Sequence, residues 1–356
     1  MKKRKNTSRN QRNIIIACVI IVIAIVLIII SYSPREHFDM PEELIVTVAW
    51  NPGSTADDFV RALIPGMDVP VVMQNIPGAN GAVGADAVMH STHDGSNLLS
   101  TSLSALVTSE AMGFNEFSHR EFTAWLCAFT PVVIVVPNDS KYDSIHDLIY
   151  DIRENPGKVR CADSGIGTIG FTAAELLSSK GNFEIGHISF SGSSAVIYAL
   201  AENEADFAVL LSTQAVNELR TGQIRTLGSF HDKEFIITKT GPDNTKITNP
   251  SIITVPAISG ITSGWDSILP MGEYYGLFIP ADTNENILNS LEAIIKNATT
   301  TDEFEEFMNN AGMIAINPNR NENTKTAEYF SSIINWTLYD AGFLPTNPQT
   351  LGIPRG

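Results

Sequence analysis

The sequence has little cysteine and lacks the motifs that most often indicate catalysis. Its 356 residues include three cysteines, and none lies in a Cys-x-x-Cys pair or at a metal-ligand spacing from a histidine. The seven histidines form no metal-binding pattern either. There is no P-loop ending in Gly-Lys-Ser/Thr and no Gly-x-Ser-x-Gly nucleophile elbow. Because no set of nucleophile, base and orienting residue can be named, we expect a protein that is not an enzyme and holds no metal.

Positive charge is also scarce, and much of it lies at the N-terminus. The first twelve residues hold six Lys and Arg and no acid, and residues 14–30 are seventeen consecutive apolar residues. Such a run is just long enough to span a bilayer, with the basic flank in the cytoplasm. A signal anchor is favoured over a cleaved signal peptide, for which Ser31 and Ser33 provide a weak cleavage site. We therefore predict a cytoplasmic tail and a transmembrane helix within residues 1–33, held in the lipid bilayer through residues 14–30.

The remainder of the chain is strongly acidic. It carries 17 Lys and Arg against 39 Asp and Glu, a net charge of −22, which argues against binding to nucleic acid or to acidic membrane surfaces. Cys127 and Cys161 lie in apolar, strand-like segments, so buried free thiols are favoured over a disulfide. We expect this part to be extracytoplasmic and anchored to the membrane.

Strand and helix signals alternate after a polar linker at residues 34–43. From Leu44 to Ser229 short apolar runs alternate with helical segments, which is typical of a doubly wound α/β fold. The segment 231–272 is rich in Thr, Pro, Asn, Gly and Ser and predicts a long surface excursion. A strand at Tyr274 to Pro280 and three further helices complete the prediction.

Four loops share one character, because each follows a predicted strand and opens a predicted helix. They are Asn51 to Asp57, Pro77 to Gly84, Ser164 to Gly170 and Phe190 to Ser194. Ligands of open α/β sheets lie at the carboxyl ends of the strands, where helix N-termini offer backbone N–H groups to an anion. The third loop also matches a dinucleotide fingerprint, but the following strand at 187–190 ends without an acid, so we predict no cofactor.

At these loops the chain resembles the extracytoplasmic solute-binding proteins of tripartite tricarboxylate transporters, the Bug family. The matching segments are Pro52-Gly-Ser-Thr-Ala-Asp57, Asn75-Ile-Pro-Gly-Ala-Asn-Gly-Ala-Val-Gly84, Ser164-Gly-Ile-Gly-Thr168 and His187-Ile-Ser-Phe-Ser-Gly192. Further matches are Gly276 to Thr283, and Trp336 with Asp340-Ala-Gly342. They follow the family order over about residues 45–343.

The resemblance implies a type II periplasmic-binding-protein-like α/β fold, with two doubly wound lobes joined by crossover strands. Lobe 1 would comprise residues 44–136 and 231–356, and lobe 2 residues 137–230. The ligand-binding residues that the resemblance implies lie in the four loops or directly after them: Pro52, Gly53, Ser54, Thr55, Ala56, Asp57, Ala79, Asn80, Gly81, Ala82, Ser164, Gly165, Gly167, Thr168, Phe171, Phe190, Ser191 and Gly192.

Several departures from the family pattern affect the expected ligand. Ser54 and Asn80 stand where the family has glycine, while Phe171 and Ser191 stand where it has His and Lys. These changes shift the predicted site toward neutral and apolar contacts, so we expect a small organic carboxylate with an apolar or aromatic body. The predicted function is that of a monomeric solute-binding protein that serves membrane transporter subunits. The alternative is a ligand-binding sensor that feeds a signalling partner.

Overall fold

One mixed β-sheet with helices on both faces organises the part of the chain described by the computed structural model, residues 40–165, 168–238 and 252–355. The strands are β1 Leu44–Val48, β2 Val71–Asn75, β3 Asn97–Ser102, β4 Phe122–Pro137, β5 Arg160–Asp163, β6 Gly186–Ser189, β7 Phe207–Leu211, β8 Ile224–Ser229, β9 Phe235–Thr238, β10 Ile252–Val255, β11 Gly272–Pro280 and β12 Ile314–Ala315. The α-helices are α1 Thr55–Leu63, α2 Ala82–Met89, α3 Leu103–Ser109, α4 Ile145–Glu154, α5 Ile169–Gly181, α6 Ser193–Ala201, α7 Ser212–Thr221, α8 Ser263–Asp266, α9 Glu285–Ala298, α10 Asp302–Ala311 and α11 Arg320–Asp340.

The strand order shows two parallel groups that meet at long central strands. The order is β2-β1-β3-β11-β4-β7-β5-β6, and β8 and β12 also pair with β4. Strand β1 is parallel to β2 and β3, and β5 is parallel to β6 and β7. Strands β4 and β11 are antiparallel to each other. We call β1, β2, β3 and β11 the first half of the sheet, and β5 to β8 the second half.

Strand β4 belongs to both halves and changes partner at Pro131. Its residues Phe122 to Pro131 pair with β11, and Val132 to Pro137 pair with β7 and β8. Proline has no N–H to donate to a ladder, so it fits the point where one pairing ends and the next begins. The sequence predicted only Pro131 to Pro137 as a strand, because a proline within an apolar run normally marks a strand end.

Apolar burial on both faces of the sheet explains why its central strands read as continuous apolar runs. Every residue of β11 is buried, as is almost all of β4. Cys127 and Cys161 are free and fully buried, which confirms the prediction of unpaired thiols, and burial raises the pKa of both. In the first half, Phe59 packs edge-on against Phe304, with ring centroids 6.2 Å apart.

The structure confirms the predicted α/β fold and corrects other parts of the prediction. The predicted N-terminal transmembrane helix is not supported, because no helix within the described ranges is long and apolar enough to cross a membrane; residues 14–30, with the predicted bilayer contact, lie outside those ranges. Helix α3 was not predicted, and α11 begins at Arg320 rather than near Ala327. The segment 231–272 contains the antiparallel pair β9–β10 and the short α8, while 239–251 lies outside the described residues. The lobe boundaries stay a prediction.

Candidate functional site

A cavity of about 420 Å³ lies where the two halves of the sheet meet. It opens at the carboxyl ends of β1, β3 and β7, the edge at which ligands of α/β sheets usually bind. The described residues that line it come from both halves: Trp50, Ser54, Thr55, Ala56, Asn80, Ser102, Ser104, Thr108, Met112, Thr168, Ile169, Leu211, Gln214, Glu273, Tyr275, Ile334 and Leu338. Five of the eighteen predicted site residues therefore line this cavity together: Ser54, Thr55, Ala56, Asn80 and Thr168.

The first loop presents the N-terminus of α1 to this cavity. Ser54 is extended and its hydroxyl accepts the N–H of Asp57 at 3.3 Å, so it caps the helix. The N–H groups of Thr55 and Ala56, at the first two helical positions, have no intrahelical acceptor. Because Thr55 and Ala56 both line the cavity, the loop can offer two backbone donors to an anion.

Asp57 has a different position from the one predicted. Its side chain is buried and does not line the cavity. Its carboxylate accepts the Gly53 N–H at 3.0 Å, the Asn75 amide at 2.9 Å and Arg61 Nε at 2.8 Å. Burial raises the pKa of Asp57, but these donors, Arg61 first, outweigh it and leave the pKa below its ordinary value. Asp57 thus joins the first loop to the end of β2, which makes it a positioning residue.

The second loop has an unusual backbone. Ala79 and Asn80 both have positive φ, at 44° and 54°, and Gly81 follows at 89°. Asparagine tolerates the left-handed region better than other non-glycine residues, so Asn80 meets this requirement while its side chain lines the cavity. Ala79, Gly81 and Ala82 do not line it. A Cβ on Gly81 would lie 3.1 Å from Thr101 Oγ1, the atom that accepts the Trp50 indole N–H.

The third loop contributes Thr168 and Ile169. The Thr168 hydroxyl accepts the Phe171 N–H at 3.2 Å and caps α5, as Ser54 caps α1. Ser164 and Gly165 do not line the cavity. The Ser164 hydroxyl is 3.4 Å from Gln214 Oε1, and the Gly165 N–H donates to Asp163 at 2.8 Å. Gly167 lies outside the described residues.

Phe171 and the fourth loop lie away from the cavity. The Phe171 ring is buried and stacks on His187 with centroids 5.1 Å apart. Phe190, Ser191 and Gly192, like Pro52 and Gly53, are absent from the described lining. The four loops therefore do not all line this cavity, and their convergence on one ligand stays a prediction. Another cavity of about 420 Å³, lined by Glu175, Trp336 and Arg355 among others, contains none of the predicted site residues.

His187 forms a partly buried charge cluster near the third loop, in which only Asp163 is fully buried. Its Nε2 lies 2.5 Å from Asp163 Oδ2, and its Nδ1 lies 2.9 Å from Glu175 Oε1. Burial lowers the pKa of His187, but the two carboxylates, Asp163 first, outweigh it and raise the pKa above its ordinary value. Because Asp163 also accepts the Gly165 N–H, the cluster connects β5, β6 and the third loop.

Sequence reasoning missed most of the polar residues that line the cavity, above all Glu273 at the start of β11. Its side chain is 4% exposed and lines the cavity. Oε1 accepts the backbone N–H groups of Ser104 and Tyr274 at 3.0 and 3.1 Å, and Oε2 accepts the Ser104 hydroxyl. Ser102, the N-cap of α3, makes no side-chain capping bond, so Glu273 provides the cap from another strand. An acid within an otherwise apolar strand was the available signal.

Burial dominates the ionisation of Glu273. It raises the pKa of the carboxyl from 4.5 to about 7, although hydrogen bonds from Ser104, Tyr274 and Leu103 oppose the rise. The described lining contains no Lys, Arg or His. The cavity can therefore bind an anion through backbone N–H groups and hydroxyls, but its one acidic side chain stays without a basic partner there. In the described ranges no group of three or more His, Cys, Asp or Glu side chains is arranged so that it could hold a metal ion.

A family model described as the tripartite tricarboxylate transporter family receptor matches residues 61–332. A protein of Bordetella pertussis described as a UPF0065 protein is 26% identical over 283 residues, which cover 77% of this chain and 82% of that protein.

Two solved structures share the fold. A TctC solute-binding protein from Polaromonas superposes with a TM-score of 0.69 at 17% identity and covers 84% of this chain and 98% of that one. A protein of R. palustris solved with adipate superposes with a TM-score of 0.60 at 18% identity, over 86% of this chain and 99% of that one.

Proposed function

Because the chain belongs to the tripartite tricarboxylate transporter receptor family, we propose that it captures a small organic carboxylate outside the cytoplasm and delivers it to membrane transporter subunits. The family consists of solute receptors and not of enzymes. The adipate held by the R. palustris protein supports a carboxylate as the ligand class. The match to a transporter receptor favours delivery over the sensor alternative, and we propose that the protein acts as a monomer.

The observation that carries this proposal is the pair of capped helix N-termini that line the same cavity. Thr55 and Ala56 begin α1, and Thr168 and Ile169 begin α5 on the opposite half of the sheet. In each case the cap hydroxyl satisfies the N–H of the third helical residue and leaves the first two N–H groups for a ligand. A carboxylate bound by both helices would join the two halves of the sheet.

The affinity that this arrangement allows is modest. Hydrogen bonds to a charged group contribute about 1.5–3 kcal/mol each, so four would contribute about 6–12 kcal/mol before the ordering cost of binding. A micromolar dissociation constant needs about 8 kcal/mol, so the ligand must also bury apolar surface. Trp50, Met112, Ile169, Ile334 and Leu338 provide that surface in the described lining. We therefore propose a carboxylate with an apolar body over a tricarboxylate.

A thermal-shift screen against carboxylates, amino acids, sugars and cations tests the ligand class. A ligand at about 100 times its dissociation constant stabilises the folded state by about 2.7 kcal/mol. Stabilisation by sugars or cations alone, with none by any carboxylate, would overturn the proposal.

A proline substitution tests the backbone donors themselves. Thr55 is the first residue of α1 and follows an extended Ser54, so Thr55→Pro removes one N–H with little strain in the helix. We expect at least a tenfold loss of affinity for the carboxylate found in the screen. Thr55→Val removes the hydroxyl and keeps the N–H, and Asp302→Pro makes the same backbone change at the start of α10, away from the cavity. Equal affinities for Thr55→Pro and Asp302→Pro would remove α1 from the site.

A further inference from the structure

Glu273 gives the cavity a charge that a carboxylate receptor would not be expected to carry. It is the one acidic residue in the described lining, and no basic side chain of that lining faces it. The groups that hydrogen-bond it, among them the Ser104 N–H, the Ser104 hydroxyl and the Tyr274 N–H, all donate to its carboxylate. An ionised Glu273 therefore has neutral hydrogen-bond partners but no opposite charge.

The ligand can provide that charge. A second carboxylate beside the buried Glu273 would place two like charges close together, and this is disfavoured unless one of them takes up a proton. An ammonium group beside Glu273 would form a charge-assisted hydrogen bond and neutralise the site. The Glu273 carboxylate also caps α3, so the N-terminus of that helix already has its anion.

We propose that Glu273 selects the ligand by charge, so that the cavity prefers an amino-carboxylate, with its ammonium group beside Glu273, to a dicarboxylate of the same length. This inference rests on the proposed function, because it assumes that the helix N-termini of α1 and α5 hold the ligand's carboxylate.

The preference depends on pH through Glu273. The other ionisable groups of its surroundings are the hydroxyls of Tyr274 and Tyr275, and burial raises the pKa of both above the usual range of tyrosine. Neither hydroxyl changes charge near neutral pH. The discrimination is therefore strongest above neutral pH, where Glu273 is ionised, and weakens in mildly acidic solution.

Titration calorimetry with four probes of equal carbon number tests the proposal: 6-aminohexanoate, 2-aminohexanoate, hexanoate and adipate. At about pH 8 we expect at least one of the amino-carboxylates to bind tenfold or more tightly than adipate, a difference of about 1.4 kcal/mol. Hexanoate should lie between them. At about pH 5.5 the ratio should shrink severalfold.

The variant Glu273→Gln should remove the discrimination. Its carbonyl can accept the N–H groups of Ser104 and Tyr274, and its amide can donate to the Ser104 hydroxyl, so the cap of α3 is kept. We expect the ratio of the affinities to fall to about twofold or less in Glu273→Gln. It should be unchanged in Glu306→Gln, which alters an exposed glutamate of α10.

Two results would overturn the inference alone. One is adipate binding to the protein at about pH 8 as tightly as both amino-carboxylates, and the other is a ratio that Glu273→Gln leaves unchanged. If none of the four probes bound to the unaltered protein or to Glu273→Gln, the proposed carboxylate function would be contradicted for ligands with six carbon atoms. The inference would then be overturned with it. The pattern of binding therefore separates the two failures.

Discussion

Removing the charge of Glu273 should change how the stability of the protein without ligand depends on pH. The pKa of this carboxyl rises from 4.5 to about 7 on folding because burial disfavours its charged form. Between these values the folded state binds more protons than the unfolded state, so the contribution of Glu273 to stability falls as pH rises. Below about pH 4.5 the residue is protonated in both states and contributes no pH dependence.

The magnitude follows from the two pKa values. Each pKa unit corresponds to about 1.4 kcal/mol, so ionised Glu273 lowers the free energy of unfolding by roughly 3 kcal/mol above neutral pH. Glu273→Gln cannot ionise and keeps the hydrogen bonds of Ser104 and Tyr274. The stability of Glu273→Gln relative to the unaltered protein should therefore increase by roughly 3 kcal/mol between about pH 4.5 and pH 8.

Urea unfolding at a series of pH values measures this difference. Glu306→Gln serves as the control, because an exposed glutamate is expected to change stability by less than about 0.5 kcal/mol at every pH. A stability difference between Glu273→Gln and the unaltered protein that stays constant across this pH range would refute the reasoning. It would mean that Glu273 ionises as it does in the unfolded chain.

Three further predictions concern the supports of the site. Asp57→Ala leaves the Gly53 N–H and the Asn75 amide without their carboxylate acceptor, so urea unfolding should show a loss of about 2–4 kcal/mol. Asp58→Ala, on the exposed side of the same helix turn, should lose less than about 1 kcal/mol, and equal losses would contradict the role of Asp57. Gly81→Val should be more destabilising than Gly113→Val, because both positions have positive φ but only Gly81 also has close neighbours, Thr101 and Ala49. Equal calorimetric melting temperatures for the two valine variants would contradict this, because they would show that the second loop shifts to accommodate the larger side chain. Because the pKa of His187 is raised on folding, its ion pairs stabilise the fold fully below about pH 6.5 and lose this effect as pH rises through the folded pKa. His187→Gln should therefore cost more stability at about pH 6 than at about pH 9, and the reverse order in urea unfolding would contradict the ion-pair assignment.

The loops around Ser54 and Thr168 were predictable because capping is a local property. A hydroxyl residue that follows a strand and precedes a helical run satisfies the N–H three residues later, whatever the rest of the fold does. The alternation of strands and helices likewise predicts a doubly wound sheet, since each element is recognised from its own residues. Asn80 could be identified as a special position through the resemblance, because it stands where the family has glycine.

The roles of Asp57, Phe171 and Glu273 could not be read from local sequence. Asp57 was expected to contact a ligand, but its carboxylate is used by Gly53, Asn75 and Arg61. Phe171 directly follows the third predicted loop and was expected to contact the ligand, yet its ring stacks on His187. Glu273 reaches Ser104 across 169 residues of sequence. The contacts of Asp57 with Asn75, of Phe171 with His187 and of Glu273 with Ser104 depend on how separate strands are ordered in the sheet.

The sequence by itself therefore determined the α/β elements and the loops that join strands to helices, and it predicted a carboxylate as the ligand. Only the tertiary structure decided which loops share one cavity and which acid lies among them. The physical reason is that hydrogen bonds within a helix turn are set by neighbouring residues. The charge balance of a cavity, by contrast, is set by side chains that meet only when β3, β4 and β11 pair.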